Sequence, residues 1–247
     1  MNLAIIGYGK MGHEIEQIAK EKGYHVITID PQAFGATFKT IDKNSLQNVD
    51  VCIDFTTPAV VLDNIKKIAA LKKNVVVGTT GWYDQLSEVK KIVKTSGIGF
   101  LYASNFSLGI NLFFAMVENA AHIMNTVEEY DVFSYELHHN QKTDSPSGTA
   151  KSIGNILLKN IHRKKTLQFE KLDRKIKPEE LHIASVRAGH IPGTHVIGFD
   201  SAADTIELKH TARNRSGFAL GAVLAAQWLH KKKGFYEIQD FMKSIIH

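Results

Sequence analysis

Near its start the chain reads Leu3-Ala4-Ile5-Ile6-Gly7-Tyr8-Gly9-Lys10-Met11-Gly12, an apolar run followed by glycines spaced Gly-x-Gly-x-x-Gly. The apolar run predicts a buried strand. After the glycines, apolar residues recur at helical spacing, and the predicted helix therefore has an apolar face made of Met11, Ile15, Ile18 and Ala19. A strand, a glycine turn and a helix in this order are the context of a dinucleotide-binding loop.

Each glycine has its own role in such a loop. The first allows a tight turn, the second lets the backbone approach the pyrophosphate, and the third lets helix and strand pack closely. The helix N-terminus adds free N–H groups and the positive end of the helix dipole. The candidate cofactor-binding residues are Gly7, Tyr8, Gly9, Lys10, Met11 and Gly12. The alternative interpretation is a glycine turn that binds no ligand.

Asp30 ends the second predicted strand, 18 residues after Gly12. A carboxylate at this place accepts hydrogen bonds from the ribose hydroxyls and repels a 2′-phosphate. The next residue is Pro31 and not an arginine, so we expect NADH to be the cofactor, with NADPH as the alternative. Lys39 could reach back from the following loop and weaken that preference.

The first hundred residues alternate between short apolar runs and amphipathic stretches, which predicts a parallel sheet covered by helices on both faces. We expect strands at residues 3–6, 24–29, 49–55, 75–77 and 98–102. We expect helices at 58–71 and 83–93, the former with Thr57 as N-cap and Pro58 in the first turn. The fold class is therefore α/β, with an N-terminal Rossmann-like, doubly wound parallel sheet.

Two small polar loops follow the fourth and fifth strands, at the sheet edge where open α/β sheets bind ligands. They add these cofactor-binding candidates: Gly78, Thr79, Thr80, Ala103, Ser104, Asn105 and Phe106. The alternative is that both are plain strand-to-helix turns with N-caps.

The second half of the chain has a different pattern. A long helix at 109–124 precedes strands at 129–137, 182–188, 195–199 and 205–210, and a capped helix begins near Ser147. Runs of strands predict an α+β domain with a mixed, mostly antiparallel sheet. The apolar helix at 217–229 is expected to pack back on the first domain. We therefore expect one domain at 1–107 with 217–247, and a second at 108–216.

The densest polar segment is His138-His139-Asn140-Gln141-Lys142-Thr143-Asp144-Ser145-Pro146-Ser147-Gly148-Thr149. Adjacent histidines on a strand point to opposite faces, so we expect no shared metal ion. An imidazole suits proton transfer, and Lys142 can bind a carboxylate or deliver a proton. Ser147-Gly148-Thr149 opens a helix and forms an anion seat. The set fits a small dicarboxylate; the alternative is a surface loop before a capped helix.

Composition excludes several classes of protein. The only cysteine, Cys52, lies in an apolar run, so no intramolecular disulfide forms. No apolar stretch reaches the ~20 residues of a membrane span, and no basic leader opens the chain, so we expect a cytoplasmic protein without a membrane partner.

Eight of the 30 basic residues lie within 159–177. We interpret this run as a solvated helix end and loop and not as a nucleic-acid site.

These motifs together resemble the 4-hydroxy-tetrahydrodipicolinate reductase family, also called dihydrodipicolinate reductases. The most specific element is the stretch from the histidine pair through Lys142 and Asp144 to Pro146-Ser147-Gly148-Thr149. The resemblance extends over nearly the whole chain. It includes the glycine loop and these further segments: Gly78-Thr79-Thr80-Gly81, Ala103-Ser104-Asn105-Phe106-Ser107, Ser185-Val186-Arg187-Ala188-Gly189, Gly193, His195 and Phe218-Ala219 with Gly221-Ala222.

The resemblance implies a role for each matched residue. His138 would be the proton donor and acceptor, Lys142 a proton donor, and His139, Gly148 and Thr149 would bind substrate with help from Ser147. The family reduces a cyclic imine dicarboxylate with NAD(P)H, delivering hydride to ring C4, in lysine and diaminopimelate biosynthesis. Its members are typically homotetramers joined through the sheet of the second, substrate-binding domain.

Two segments depart from the family pattern, and two other functions remain alternatives. Asn140 and Gln141 stand where some members have basic residues, and Asp30-Pro31 stands where many have Glu-Arg, which bears on NADPH use. One alternative is another two-domain dehydrogenase acting on a different small acid. The other is a dinucleotide-sensing module without chemistry, which would predict loss of the proton-transfer residues.

Overall fold

The structure, a computed structural model, describes residues 1–246. It divides into two compact units, one formed by Met1–Leu108 with the chain from Arg215 onward and the other by Gly109–Asn214. In chain order the elements are β1 (Asn2–Ile6), α1 (Lys10–Glu21), β2 (His25–Ile29), β3 (Val51–Asp54), α2 (Val61–Ala70), β4 (Asn74–Val77), α3 (Leu86–Ser96), β5 (Gly99–Tyr102), α4 (Leu108–Asn125), β6 (Asp131–His138), α5 (Gly148–Asn160), β7 (Thr166–Gln168), β8 (Glu180–Arg187), β9 (Thr194–Asp200), β10 (Thr205–Thr211), α6 (Ser216–Leu229), β11 (Gly234–Glu237) and α7 (Ile238–Lys243).

The first unit contains a six-stranded sheet in which every pair of neighbours is parallel, in the order β11-β5-β4-β3-β1-β2. This confirms the predicted Rossmann-like parallel sheet. Because all the strands run the same way, the loops that follow them share one edge of the sheet. The glycine loop after β1, Asp30 after β2 and the two polar loops after β4 and β5 therefore belong to a single edge.

Two helices of this unit begin later than their predicted starts. The helix predicted from Pro58 starts at Val61, and Val60 is its N-cap. Thr57 closes the preceding turn with its carbonyl, which accepts from the N–H groups of Val60 and Val61, so the predicted Thr57 cap is wrong. The helix predicted at 83–93 is a 3₁₀ turn over Tyr83–Gln85 followed by α3.

The helix α6 is apolar all round and packs against α1 and the strands β3, β4 and β5. This confirms the expectation that the last apolar helix returns to the first domain. Contact is close at Gly221, where a Cβ atom would lie 1.8 Å from the carbonyl oxygen of Phe106. Only glycine allows α6 to approach the segment after β5 at this distance. The unpredicted strand β11 is a four-residue edge strand beside β5.

The second unit contains a five-stranded mixed sheet in the order β10-β9-β6-β8-β7. The β9 strand is antiparallel to both β10 and β6, whereas β8 is parallel to both β6 and β7. The predicted mixed, mostly antiparallel sheet is thus confirmed, since the two antiparallel pairs align seven residues each and the two parallel pairs align five and three. The parallel part follows from α5, because a crossover helix after β6 lets a later strand run in the same direction as β6.

The core of this unit lies on one face of its sheet. The contacting side chains come from α4, α5 and alternate positions of the strands, and they include Phe113, Val117, Ile153, Leu157, Val132, Ile183, Ile197 and Phe199. The opposite face carries Phe133, Tyr135 and Leu137, which are half-buried, and Val186, which is 46% exposed. The sheet therefore has one packed face and one open apolar face.

Part of the basic run at 159–177 stabilises the fold, which corrects its interpretation as solvated. Lys164 is 2% exposed, and its Nζ donates to the carbonyls of Pro178 and Glu180. Arg163 donates to the carbonyls of Met124 and Tyr130. These two cations stabilise loop backbone, with Lys164 buried and Arg163 half-buried. Within residues 1–246, none of the helices combines the length and apolar character that crossing a membrane requires.

Candidate active site and nucleotide-binding loops

The glycine loop has the geometry that lets its backbone lie close to a pyrophosphate and to the start of α1. Gly7 has φ +87° and donates its N–H to the carbonyl of Ile29 at 3.0 Å. A Cβ atom at Gly12 would lie 2.4 Å from the carbonyl oxygen of Gly7, so a side chain there would separate α1 from the loop. At Gly9, by contrast, a Cβ would meet no heavy atom within 4 Å. The loop leaves open space where a pyrophosphate would lie, and it therefore fits a dinucleotide.

The other residues of the loop differ in exposure. Lys10 is exposed and Met11 half-buried at the start of α1. The hydroxyl of Tyr8 donates to Glu16, and this bond with burial raises the pKa of Tyr8 to about 12. The ring of Tyr8 also packs on His13, with 3.9 Å between ring centroids. The side chain of Tyr8 is thus fixed against α1.

Asp30 lies where the sequence predicts it, directly after β2. Its Oδ2 accepts from the N–H of Tyr8, and its Oδ1 accepts from the N–H groups of Gln32 and Ala33, all at 2.8 Å. Partial burial raises its pKa, but the three donors outweigh that effect and lower it overall. The carboxylate joins the glycine loop to the turn after β2. The ammonium of Lys39 donates to the carbonyl of Ala33 at 2.7 Å, close enough to contribute to the lower pKa.

The loops after β4 and β5 present mainly backbone. Thr79 is buried, and its hydroxyl donates to Asp54 and accepts from the N–H of Thr56, both at 2.8 Å. Gly78 lies against the ring of Phe55, where a Cβ would clash at 2.1 Å. The remaining candidates divide into exposed and less exposed residues: Thr80 and Ser104 are exposed, Asn105 is half-buried, and Ala103 and Phe106 are buried.

Asp54, which was not predicted as a site residue, organises this edge. Its carboxylate is fully buried and accepts from Thr56, Asn64 and Thr79 at 2.8–3.1 Å. Burial raises the pKa of Asp54 above its ordinary value, and the three partners oppose that shift. The sequence feature that could have identified Asp54 is its position as an acidic residue at the end of an apolar strand.

In the second unit, His138 ends β6 and is 8% exposed. Its Nδ1 lies 3.5 Å from Glu136 Oε2, and its ring meets that of His195 edge-on, with 5.2 Å between centroids. Burial lowers the pKa of His138, Glu136 opposes that shift, and Lys142 and Arg187 add to it. His139, one residue further on, is half-buried. The two histidines have different surroundings, as their alternation along the strand predicts.

Lys142 and the start of α5 lie in the loop that follows. The ammonium of Lys142 is 2.6 Å from Asp144 Oδ1, and its side chain is 22% exposed. Ser147 is the N-cap of α5, with its hydroxyl accepting from the N–H of Ala150. The N–H groups of Gly148 and Thr149 have no hydrogen-bond partner within residues 1–246, since both belong to the first turn. They are the donors that a carboxylate could meet.

The centre of this arrangement is Glu136, which sequence analysis did not single out. Its side chain is completely buried on β6. Oε1 accepts from Ser147 N at 2.9 Å, from the Ser185 hydroxyl at 2.9 Å and from Arg187 Nη2 at 2.8 Å. Oε2 accepts from the Ser147 hydroxyl. Burial raises the pKa of Glu136, but its donors outweigh burial and lower it to about 2.

The pairing of strands explains why these residues meet. Glu136 lies opposite Ser185 on β8 and opposite His195 on β9, while His138 lies opposite Arg187. Two residues apart on one strand, Glu136 and His138 face the same side. The signal available in the sequence was a charged residue at an inward position of an alternating strand.

One cluster of potential metal ligands occurs within residues 1–246, formed by Glu136, His138 and His195. Glu136 already accepts from Ser147, Ser185 and Arg187. A divalent ion there would lie beside the guanidinium, with no second anion in the ligand set to balance its charge. The donor set therefore favours a hydrogen-bonded network over a metal centre.

A Rossmann-type unit with a glycine loop, followed by a second unit with a buried cluster of histidines and a carboxylate, is the arrangement of a pyridine-nucleotide-dependent oxidoreductase. Two family models match nearly all of the chain: the dihydrodipicolinate reductase N-terminus over residues 1–106 and its C-terminus over residues 109–242. The chain belongs to the dihydrodipicolinate reductase family, as its motifs predicted.

Relatives agree with this assignment. The chain is 38% identical to a 4-hydroxy-tetrahydrodipicolinate reductase of Christiangramia forsetii, over 99% of both chains. It is 37% identical to the enzyme of the same name from Buchnera aphidicola, over 82% of this chain and 74% of the relative. The fold matches that of a dipicolinate-bound dihydrodipicolinate reductase from Paenisporosarcina, with a TM-score of 0.77 at 24% identity over 97% of this chain and 98% of the other.

Proposed function

We propose that this protein reduces 4-hydroxy-tetrahydrodipicolinate to tetrahydrodipicolinate with NADH, in lysine and diaminopimelate biosynthesis. The unit built on the parallel sheet binds the dinucleotide, and the unit built on the mixed sheet binds the cyclic dicarboxylate and moves protons. One observation carries the proposal: the carboxylate of Glu136 lies 3.5 Å from the imidazole of His138 and also accepts from Ser147, the N-cap of α5, whose first two amides are unpartnered. A proton-transfer group and an anion seat are thereby held side by side.

The substrate has two carboxylates, and the second unit offers donors for them. The amides of Gly148 and Thr149 suit one carboxylate, because a helix N-terminus stabilises negative charge. Lys142 provides a cation in the adjoining loop, and His139 a further donor. Ser147 uses its hydroxyl as N-cap and as a donor to Glu136. We therefore propose that Ser147 positions the anion-binding amides of Gly148 and Thr149 and does not contact the substrate.

The reaction requires protons to move as well as hydride. Loss of the 4-hydroxyl as water removes a ring proton and protonates the departing oxygen, and the enamine formed by reduction takes up a further proton. When bound, the reduced nicotinamide supplies hydride to ring C4. His138 can both accept and donate a proton, and Lys142 can donate one, which matches these needs.

Asp30 supports the preference for NADH. Its carboxylate accepts three backbone N–H bonds and keeps acceptor capacity for a ribose hydroxyl, since a carboxylate offers about four acceptor positions. Its negative charge disfavours a 2′-phosphate. Lys39, which donates to the carbonyl of Ala33 in the same turn, reduces that effect without removing it. NADPH is therefore expected to be a weaker cofactor.

The loops at the same sheet edge complete the proposed dinucleotide site. Gly7–Gly12 would hold the pyrophosphate through backbone N–H groups. Residues 78–80 and 103–106 would contact the dinucleotide chiefly through backbone, with Thr80 and Ser104 as its exposed side chains. The hydroxyl of Thr79 already serves Asp54 and Thr56, so we assign Thr79 to shaping the loop.

We also propose that the protein is a homotetramer that covers the open face of the mixed sheet. That face carries Phe133, Tyr135 and Leu137 with the exposed Val186, and apolar surface of this kind marks an interaction site. Sedimentation equilibrium of the wild type should give four times the monomer mass of 27.5 kDa. A Val186→Asp substitution should lower that mass. A monomeric wild type would contradict the assembly.

Dipicolinate binding tests the assignment of the substrate site. Calorimetric titration of the wild type with dipicolinate, in the presence of NADH, should show saturable binding. Lys142→Met should weaken it about tenfold to a hundredfold, the range for hydrogen bonds to charged groups. The matched control is Lys151→Met, which removes an exposed lysine from α5 itself. Equal affinity in the wild type and the Lys142→Met variant would contradict the assignment.

A further inference from the structure

Glu136 is a buried anion that the proposed reaction does not consume. Its side chain has no exposed surface, and its pKa of about 2 keeps it ionised. Removing a carboxylate from water is costly unless hydrogen bonds and a cation compensate for it. Here the compensation comes from Ser147, Ser185 and Arg187. These hydrogen bonds hold the Glu136 carboxylate in one orientation.

The network reaches three parts of the proposed substrate site. Glu136 Oε2 faces Nδ1 of His138 at 3.5 Å. Both oxygens of Glu136 accept from Ser147, the N-cap of α5. The two unpartnered amides of Gly148 and Thr149 follow directly in the chain. Arg187, bound to Glu136, also donates to the carbonyl of Asp144 at 2.6 Å, in the loop that carries Lys142. The loop and the start of α5 are thus linked by hydrogen bonds to one carboxylate, which lies beside the imidazole but outside hydrogen-bond geometry.

We propose that Glu136 is the positioning residue of the substrate site, which orients the imidazole of His138 and aligns it with Lys142 and the start of α5. This inference rests on the proposed role of His138 in proton transfer. Glu136 acts through its neighbours and does not touch the substrate. Arg187 is its counterion and transmits the same constraint to the loop.

The orientation selects one tautomer of His138. A carboxylate facing Nδ1 favours the proton on that nitrogen, which leaves Nε2 to exchange protons with the substrate. The Nε2 side is kept clear by Gly193, where a Cβ atom would lie 3.1 Å from Nε2. Gly193 also has φ +151°, a conformation that favours glycine. Glu136 thus lies on the Nδ1 side of the ring, and the absence of a side chain at Gly193 leaves the Nε2 side open.

The charges around His138 determine whether its pKa should rise or fall when the charge of Glu136 is removed. Glu136 on β6 and Asp144 in the following loop favour the imidazolium, whereas Lys142 in that loop and Arg187 on β8 oppose it. His195 on β9 packs against the ring and is neutral near pH 7. Glu136 is the largest of these charge effects. Removing its charge should therefore lower the pKa of His138.

The experiment compares Glu136→Gln with Glu180→Gln. Glu180, which lies on β8, is a suitable control because it is a buried carboxylate paired with a guanidinium, as Glu136 is. The Nη2 atom of Arg174 lies 2.6 Å from Oε1 of Glu180. Histidine side-chain NMR of the full-length protein measures the pKa of His138, and steady-state kinetics give kcat against pH. Glu136→Gln should lower kcat about 100-fold, the effect of a misplaced catalytic group. It should also lower the pKa of His138, whereas Glu180→Gln should change neither.

Each outcome bears on a different claim. An unchanged pKa of His138 with wild-type kcat in Glu136→Gln would overturn the positioning role. A lowered pKa of His138 without any change in the pH profile of kcat would support the network and contradict the assignment of His138 to proton transfer. If the single variant does not fold, the double variant Glu136→Gln with Arg187→Gln avoids an unpaired guanidinium. Wild-type kcat in that double variant would overturn the proposal.

Discussion

Arg187 Nη2 lies 2.8 Å from Glu136 Oε1, an ion pair between the neighbouring strands β8 and β6 in which the carboxylate is fully buried and the guanidinium half-buried. The two residues are 51 positions apart in the sequence and meet because β6 and β8 pair in parallel. The pair stabilises an anion in the interior of the second unit. Its consequences for acid stability and for catalysis can be separated by experiment.

The first prediction concerns acid unfolding. The pKa of Glu136 falls from an ordinary value of 4.5 to about 2 in the folded protein. A lowered folded-state pKa contributes stability that is complete above 4.5 and is lost as the pH falls toward about 2. The free energy of unfolding, measured with urea across this range, should fall more steeply for the wild type than for Glu136→Gln. Parallel curves for the two proteins would contradict the shift.

The second prediction separates chemistry from dinucleotide binding. His138→Ala and Lys142→Ala should each lower kcat by about 10²–10⁴-fold, the usual contribution of a general acid or base. The affinity for NADH, measured by fluorescence titration, should stay near the wild-type value, because both residues belong to the second unit. Loss of NADH binding in either variant would show that the two sites are not independent.

The third prediction uses two glycines of one loop that differ in their surroundings. Gly9→Ala should leave the melting temperature nearly unchanged, since its Cβ would meet no atom within 4 Å, but should weaken NADH binding by blocking the pyrophosphate. Gly12→Ala places a Cβ 2.4 Å from the carbonyl oxygen of Gly7 and should lower the melting temperature. Calorimetry and NADH titration of both variants check this. Unweakened NADH binding by Gly9→Ala would remove the loop from the cofactor site.

The fourth prediction concerns cofactor choice. Asp30→Asn removes the negative charge and keeps one acceptor oxygen for the N–H groups of the turn. The ratio of kcat/KM for NADH to that for NADPH should fall, because repulsion of the 2′-phosphate is lost while Lys39 remains nearby. Lys39→Met should raise the same ratio. An unchanged ratio in both variants would exclude Asp30 from the ribose site.

Local patterns were enough to predict much of the first unit. The glycine spacing, the apolar strands and the helical periodicity depend on residues close together in sequence, and the parallel sheet follows from their alternation. The exact start of α2 was not predictable, because the carbonyl of Thr57 and not its side chain closes the turn. The strands β7 and β11 were not predictable because neither is an apolar run: β7 reads Thr-Leu-Gln and β11 reads Gly-Phe-Tyr-Glu.

The network around Glu136 shows what local patterns omit. Its partners Ser185 and Arg187 are 49 and 51 positions away, and they meet Glu136 only through the register of β6 and β8. Ser147 was predicted as a cap that assists substrate binding, and its cap is present. Its second bond, to Glu136, depends on how α5 sits on the sheet. Contacts set by tertiary packing are not visible in sequence spacing.

NADH oxidation with substrate generated in place is the most direct test of the central claim, that this chain reduces 4-hydroxy-tetrahydrodipicolinate. The synthase that catalyses the preceding step of the pathway would supply the substrate from pyruvate and aspartate semialdehyde. NADPH would be tested in parallel. We predict NADH oxidation that requires the synthase and is faster than that of NADPH. Normal NADH binding without synthase-dependent oxidation of either cofactor would contradict the proposed activity.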